Sequence, residues 1–179
     1  LVEYSRREGL PPITALHINH GLHEDANDWA AHCAAVASDL GVEFHERVVS
    51  VDEGASPEAQ ARDARYSVFE SFLATGDVLL LGHHLDDQVE TVLFRLIRGA
   101  GPSGLAGIPE KRPLGRGLLM RPLLGIRRDQ IEDYADSQEL DYLNDGSNYD
   151  TRYDRNFLRH EVLPLIESRW PGYRSGFAR

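Results

Sequence analysis

Apolar positions along this chain recur in two alternating rhythms, short runs of about six residues and longer stretches at helical spacing. Ile13–Ile18 (ITALHI) is a β-prone run, entered after Pro11-Pro12 and left at Asn19-His20-Gly21. Glu24, Asp25 and Asp28 then open a helical pattern with Trp29, Cys33, Val36 and Leu40 on one side, stopped by Gly41. Val42–Val51 reads as a second strand. Ser56-Pro57 starts a helix that runs to Ala74 and ends at Gly76. Val78–Leu81 is short and wholly apolar, the type of strand expected in a parallel sheet covered on both faces. A further helix follows from Asp86 to Arg98. Beyond it, 99–117 is rich in Gly and Pro and reads as loop; Arg127–Glu139 is helical, 141–156 is polar and loop-like, and Glu161–Trp170 is a short helix interrupted by Pro164.

Strand and helix thus alternate, which predicts an α/β fold, a mostly parallel Rossmann-like sheet with helices on both faces. The 179 residues suit one globular domain with a core of its own. A single cysteine, Cys33, excludes an intramolecular disulfide and a CxxC metal site. With no apolar run of membrane-spanning length and no signal peptide, a cytoplasmic location is the expectation. The net charge of −10 argues against a nucleic-acid partner until it is divided along the chain. Residues 91–128 hold eight basic groups and one acidic group, whereas residues 129–150 hold eight acids and no base. A basic stripe inside an acidic protein suits phosphate binding, because partners respond to local potential; a solvated face is the plainer alternative.

The chemistry concentrates in Gly82-His83-His84-Leu85-Asp86-Asp87-Gln88-Val89-Glu90-Thr91, where the apolar strand gives way to a helix. Ligands of open α/β sheets bind outside the carboxyl ends of strands, and a helix N-terminus there attracts anions. Asp87 and Glu90 are three apart and Asp86 and Glu90 four apart, so a helix puts them on one face, fit for Mg²⁺ with substrate phosphates or for a cationic substrate. Capping competes with that reading, since Asp87 and Glu90 also have the form of a capping box. A zinc hydrolase is disfavoured: adjacent His83 and His84 at a strand end point to opposite faces. Gly99–Gly104 matches GxGxxG formally, but it follows a helix rather than a strand, so a dinucleotide site is rejected.

HHLDDQVET followed by LFRLIRGAGPSGLAGI and RPLL, together with INHGLHEDANDWAAHC, PEAQARDARY and GSNYDTRYDRNFLRHEVLP, resembles the lysidine synthases of the N-type ATP pyrophosphatase (PP-loop) superfamily. The matches run in the family's order from about His17 to Pro164. Related tRNA thiolases use cysteine pairs, and a lone Cys33 argues against them. The resemblance implies ligation of lysine to C2 of the wobble cytidine of a tRNA(Ile) with a CAU anticodon, using ATP and Mg²⁺ through an adenylated intermediate. It implies lysine binding by Asp87 and Glu90, with Asp86 assisting or holding Mg²⁺ and His83 or His84 taking a proton from the amine. ATP falls to His17, Asn19, Arg62 and Arg155. tRNA falls to Arg95, Arg98, Arg112, Arg116, Arg127, Arg128 and Arg159, with Lys111 and Arg121 in the same basic block. Asn148 and Asn156 are loop organisers.

The family's SGGxDS phosphate loop and its central first strand would precede Leu1, with Leu1–Gly9 as the tail of the following helix, so an N-terminally truncated and inactive catalytic fragment is expected. Residues 1–125 would be a partial nucleotide-binding domain and 126–179 its helical extension. The alternative is a module of the same fold that binds nucleotide or tRNA without catalysis, or a related tRNA-modifying enzyme.

Overall fold

The β-branched and aliphatic run after Pro12 forms β1 (Thr14–Asn19), which pairs in parallel with β2 (Glu43–Val48), Thr14 opposite Glu43 and Asn19 opposite Val48. Parallel neighbours need a crossover, and α2 (Ala26–Asp39) supplies it and packs on both strands. Ahead of them lies α1 (Val2–Arg7), whose Arg6 guanidinium donates to the Leu40 and Gly41 carbonyls at the end of α2. The helix α3 (Pro57–Phe72) follows β2. This computed structural model describes residues 1–21, 23–50 and 57–177; the expected helix start at Ser56 lies outside the described residues.

Contacts divide the chain into two units, Leu1–Leu73 and Ala74–Arg179. In the second unit the predicted apolar strand is β3 (Val78–Leu80), followed by α4 (Leu85–Ile97). The segment expected to be loop instead contains β4 (Lys111–Leu114), and with β5 (Gly117–Met120) it forms a hairpin turned at Gly115, where φ is +54°. Only a residue without Cβ takes that conformation at little cost. The sheet order is β3-β5-β4, with β3 parallel to β5 and β4 antiparallel to it. Leu114 and Leu119 are buried between the hairpin and its surroundings. Contrary to the expectation from their apolar run, the three side chains of β3 are not covered on both faces: Val78 and Leu80 are 49% and 40% exposed.

The remainder is mostly helical. It comprises α5 (Arg128–Ser137), α6 (Asp154–Phe157), a π-helical turn at Leu158–Val162, α7 (Leu163–Arg169) and α8 (Tyr173–Phe177), and of these α6, the π-helical turn and α8 pack on α4. Helix therefore begins earlier than Glu161. Pro164 does not interrupt it, because Pro164 sits in the first turn of α7, where its missing N–H is no loss. The core beneath α4 joins Val89, Leu163 and Tyr173, with Leu93, Ile166 and Phe177 packed around them.

Candidate functional site

The site is built on the first two turns of α4. Asp87 is the third residue of this helix, and its Oδ2 accepts from the His84 backbone N–H at 2.9 Å, half of a capping box. Asp86 points the other way. Its Oδ1 accepts from Arg174 Nε at 2.8 Å and its Oδ2 from the Arg128 backbone N–H at 2.8 Å. One turn on, Glu90 is only 2% exposed and takes Arg159 in a two-pronged pair, Nε to Oε1 at 2.7 Å and Nη2 to Oε2 at 2.9 Å. Planar guanidinium on planar carboxylate is the strongest such arrangement, and at this depth each charge depends on the other. Burial pushes the Asp86 carboxyl up, but the Arg174 and Arg128 hydrogen bonds outweigh it and leave Asp86 below its ordinary range.

These pairs enclose a cavity of about 230 Å³ lined by Asp86, Glu90, Arg128, Asp129, Glu132, Arg159, Leu163, Pro164, Glu167, Tyr173 and Arg174. Five carboxylates face three guanidinium groups there, an excess of two negative charges. Glu167 joins the wall by pairing with Arg174, which it shares with Asp86. His84 stands at the edge, Nδ1 at 3.8 Å from Asp86 Oδ2 and Nε2 at 3.5 Å from Asp87 Oδ2. Asp87 itself is not among the lining residues.

A PP-loop domain family profile matches residues 1–166. The chain belongs to the PP-loop family. It is 50% identical over 179 residues to a tRNA(Ile)-lysidine synthase of Pseudomonas aeruginosa and 51% identical to that of Pseudomonas syringae pv. tomato, in each case across all of this chain. The chain spans 40% of the length of these relatives. Among solved structures it is similar to the U34-tRNA thiolase NcsA of Methanococcus maripaludis with its [4Fe-4S] cluster. The TM-score is 0.73 at 19% identity, covering 98% of this chain and 64% of the other. At that identity the likeness shows the PP-loop fold alone.

The other residues singled out from sequence fall in two places on this PP-loop chain. In the first unit, Asn19 at the end of β1 is 4% exposed; its Nδ2 donates to Asn27 Oδ1 at 3.2 Å and Glu46 Oε1 at 3.0 Å, and its Oδ1 accepts from the Gly21 N–H at 2.9 Å. His17 stacks on Phe44 at 6.5 Å between ring centroids. Burial, then the Arg65 and His17 charges, hold His20 below its ordinary range. Arg62 is exposed, its guanidinium 4.9 Å from the Tyr66 ring centre.

In the second unit, Arg95 donates to the Gly104 and Gly107 carbonyls at 3.0 and 2.9 Å, pinning the glycine-rich loop to α4. Arg121 is 3% exposed and donates to the Pro109 carbonyl at 2.6 Å. Arg98 lies over Phe94, Arg127 pairs with Asp129, and Arg128 pairs with Glu132. Arg98, Lys111, Arg116 and Arg155 are exposed, and Arg112 and His83 are half-buried. Asn156 donates to the Ser147 and Asp150 carbonyls at 2.8 and 3.0 Å, and the Asn148 carbonyl lies 2.9 Å from His160 Nε2.

Sequence reading did not nominate Arg174, Glu167 or Tyr173. Arg174 lies 88 residues from Asp86, and α8 is five residues long, too short to show a period. The residues present do not fit a protein-held Mg²⁺. Both Asp86 oxygens are already hydrogen-bonded, and among the described residues no three His, Cys, Asp or Glu side chains are grouped to hold a metal. No helix among the described residues is long and apolar enough to cross a membrane.

Proposed function

We propose that this chain is catalytic-domain sequence of a cytoplasmic tRNA(Ile)-lysidine synthase, joining lysine to C2 of the wobble cytidine of a tRNA(Ile) with a CAU anticodon. The whole reaction has two steps. The 2-carbonyl oxygen of the cytidine attacks the α-phosphorus of ATP, a phosphoanhydride bond breaks, and pyrophosphate leaves. The side-chain amine of lysine then adds at C2, gives up a proton, and expels AMP with its bonding electrons. Adenylation supplies the leaving group; the second step depends on holding a neutral amine in line with C2. Residues 1–125 carry the nucleotide part, with His17, Asn19 and Arg62 assigned to ATP; Arg155, assigned to ATP as well, belongs to the helical extension. The helical extension 126–179 closes the amino-acid side.

The observation that carries the reading is the carboxylate-rich cavity on α4, in a chain half identical to lysidine synthases. A cavity of about 230 Å³ lies below the roughly 300–1,000 Å³ of drug-sized pockets and suits one small amino acid. Its excess negative charge suits lysine, which brings one carboxylate and two ammonium groups. Glu90 in the cavity wall and Asp87 beside it, outside the lining, are assigned to the lysine, and His83 or His84 to proton removal at the amine, since imidazole titrates near neutrality. Asp86 is assigned to positioning, and no step is routed through a metal. Arg95, Arg98, Arg112, Arg116, Arg127, Arg128 and Arg159 are assigned to tRNA phosphates.

The test is turnover by the full-length protein with ATP, L-lysine and a CAU-anticodon tRNA(Ile), with the modified nucleoside read by mass spectrometry. In that protein Asp87→Asn raises the lysine concentration needed about tenfold or more while adenylation of the tRNA continues. Loss of adenylation with an unchanged lysine requirement would move Asp87 to the nucleotide. Absence of any lysine-containing nucleoside would reject the reading.

A further inference from the structure

Tyr173 plays no part in the two steps just described, yet its position is costly. The residue is 9% exposed, and its ring packs with Val89 and Leu163, edge-on to Phe177 at 6.3 Å and under the Arg174 guanidinium at 4.9 Å. Its hydroxyl is sealed from solvent and has no hydrogen-bond partner among the described residues. Buried hydroxyls are nearly always paired, and phenylalanine would fill the same space without the penalty.

Burial raises the phenol above its ordinary range; Arg174 opposes that, and Glu167, Asp86 and Glu90 add to it. All four of these groups line the α4 cavity, as does Tyr173. The cavity's own charges are largely spent on one another: Glu90 on Arg159, Asp86 and Glu167 on Arg174. An amino-acid ligand puts its ammonium groups against the excess carboxylates. Its carboxylate then meets the guanidinium N–H groups left over from these pairs and the phenol, whose hydroxyl has no partner among the described residues.

We propose that Tyr173 is a specificity-determining residue of the α4 cavity, its hydroxyl donating to the carboxylate of a bound amino acid. This rests on the lysine reading of the same cavity and adds to it the means of telling an amino acid from a plain diamine. A site built to hydrogen-bond a ligand group discriminates sharply against ligands lacking it.

The experiment is calorimetric titration of the full-length protein and its Tyr173→Phe variant with L-lysine and with 1,5-diaminopentane, which has both amines and no carboxylate. Thermal unfolding of both proteins accompanies it. The expected result is a variant at least as stable as the parent, about tenfold weaker for L-lysine and unchanged for the diamine. Equal lysine affinity in the two proteins overturns the inference alone and leaves the lysine reading standing. A destabilised variant with the same loss for both ligands also overturns it, by making the hydroxyl structural. Failure of the parent protein to bind L-lysine overturns the lysine reading and this inference with it.

Discussion

The carboxyl ends of β1 and β3 occupy equivalent places, each a strand leading through a short polar turn into a helix, yet they are organised by opposite means. After β1 the turn is held by a neutral amide: Asn19 satisfies Asn27, Glu46 and the Gly21 N–H at once. After β3 the turn is charged, and the charges are balanced from far along the chain, Glu90 by Arg159 and Asp86 by Arg174. A neutral amide fixes a backbone shape and reaches no further than Glu46 on the neighbouring strand, 27 residues on. Buried carboxylates make the site depend on helices that fold 69 and 88 residues later. The β1 end is therefore held within one strand–helix–strand unit, and the β3 end by the last quarter of the chain.

The largest effect expected from breaking this contrast is at Glu90. Glu90→Ala leaves Arg159 without its partner and is expected to cost about 3 kcal/mol of unfolding free energy, measured by urea denaturation of the intact protein. A loss no greater than that of an exposed surface pair would show that the Glu90–Arg159 pair does not hold the second unit together. Asn19→Ala comes next. It removes three hydrogen bonds at a 4% exposed position, for about 1–2 kcal/mol. Adding a salt such as 1 M NaCl should leave that loss unchanged, because no charge is removed.

The smallest effect is a pH dependence. Asp86 is held below its ordinary value of 3.8 by Arg174 and Arg128, so the stability it contributes is present above that value. It is lost as pH falls through the depressed one. Acid titration of thermal stability should therefore be shallower below pH 4 in Asp86→Asn than in the parent. Parallel curves would assign the acid limb to other carboxylates.

Much of the frame was legible because it rests on local signals. The apolar run before Gly82 and the acids after it placed β3 and α4, and Pro11-Pro12 with Asn19-His20-Gly21 bracketed β1. The β4–β5 hairpin was not legible. Lys111-Arg112-Pro113-Leu114 has no apolar alternation, and its only signal is the Gly115-Arg116-Gly117 turn amid other glycines. At the site, the clustering of Asp86, Asp87 and Glu90 was plain, but the direction of each carboxylate was not. Helical spacing puts the three near one another. It does not say that Asp87 turns back to the His84 N–H while Asp86 and Glu90 reach arginines from the last quarter of the chain.

The widened turn at Leu158–Val162 governs how the final helices are clocked. Arg155 and Arg159, four apart, would share a side of a regular helix, but here one faces outward and the other lies on Glu90. A π-turn amounts to one surplus residue in an α-helix, so removing any single residue from this stretch would let the coil tighten. Everything downstream would rotate by roughly a quarter-turn or more, carrying Tyr173 and Arg174 away from their partners with no residue of the cavity altered. The spacing of this stretch is thus as much a constraint on the cavity as the identity of the residues lining it.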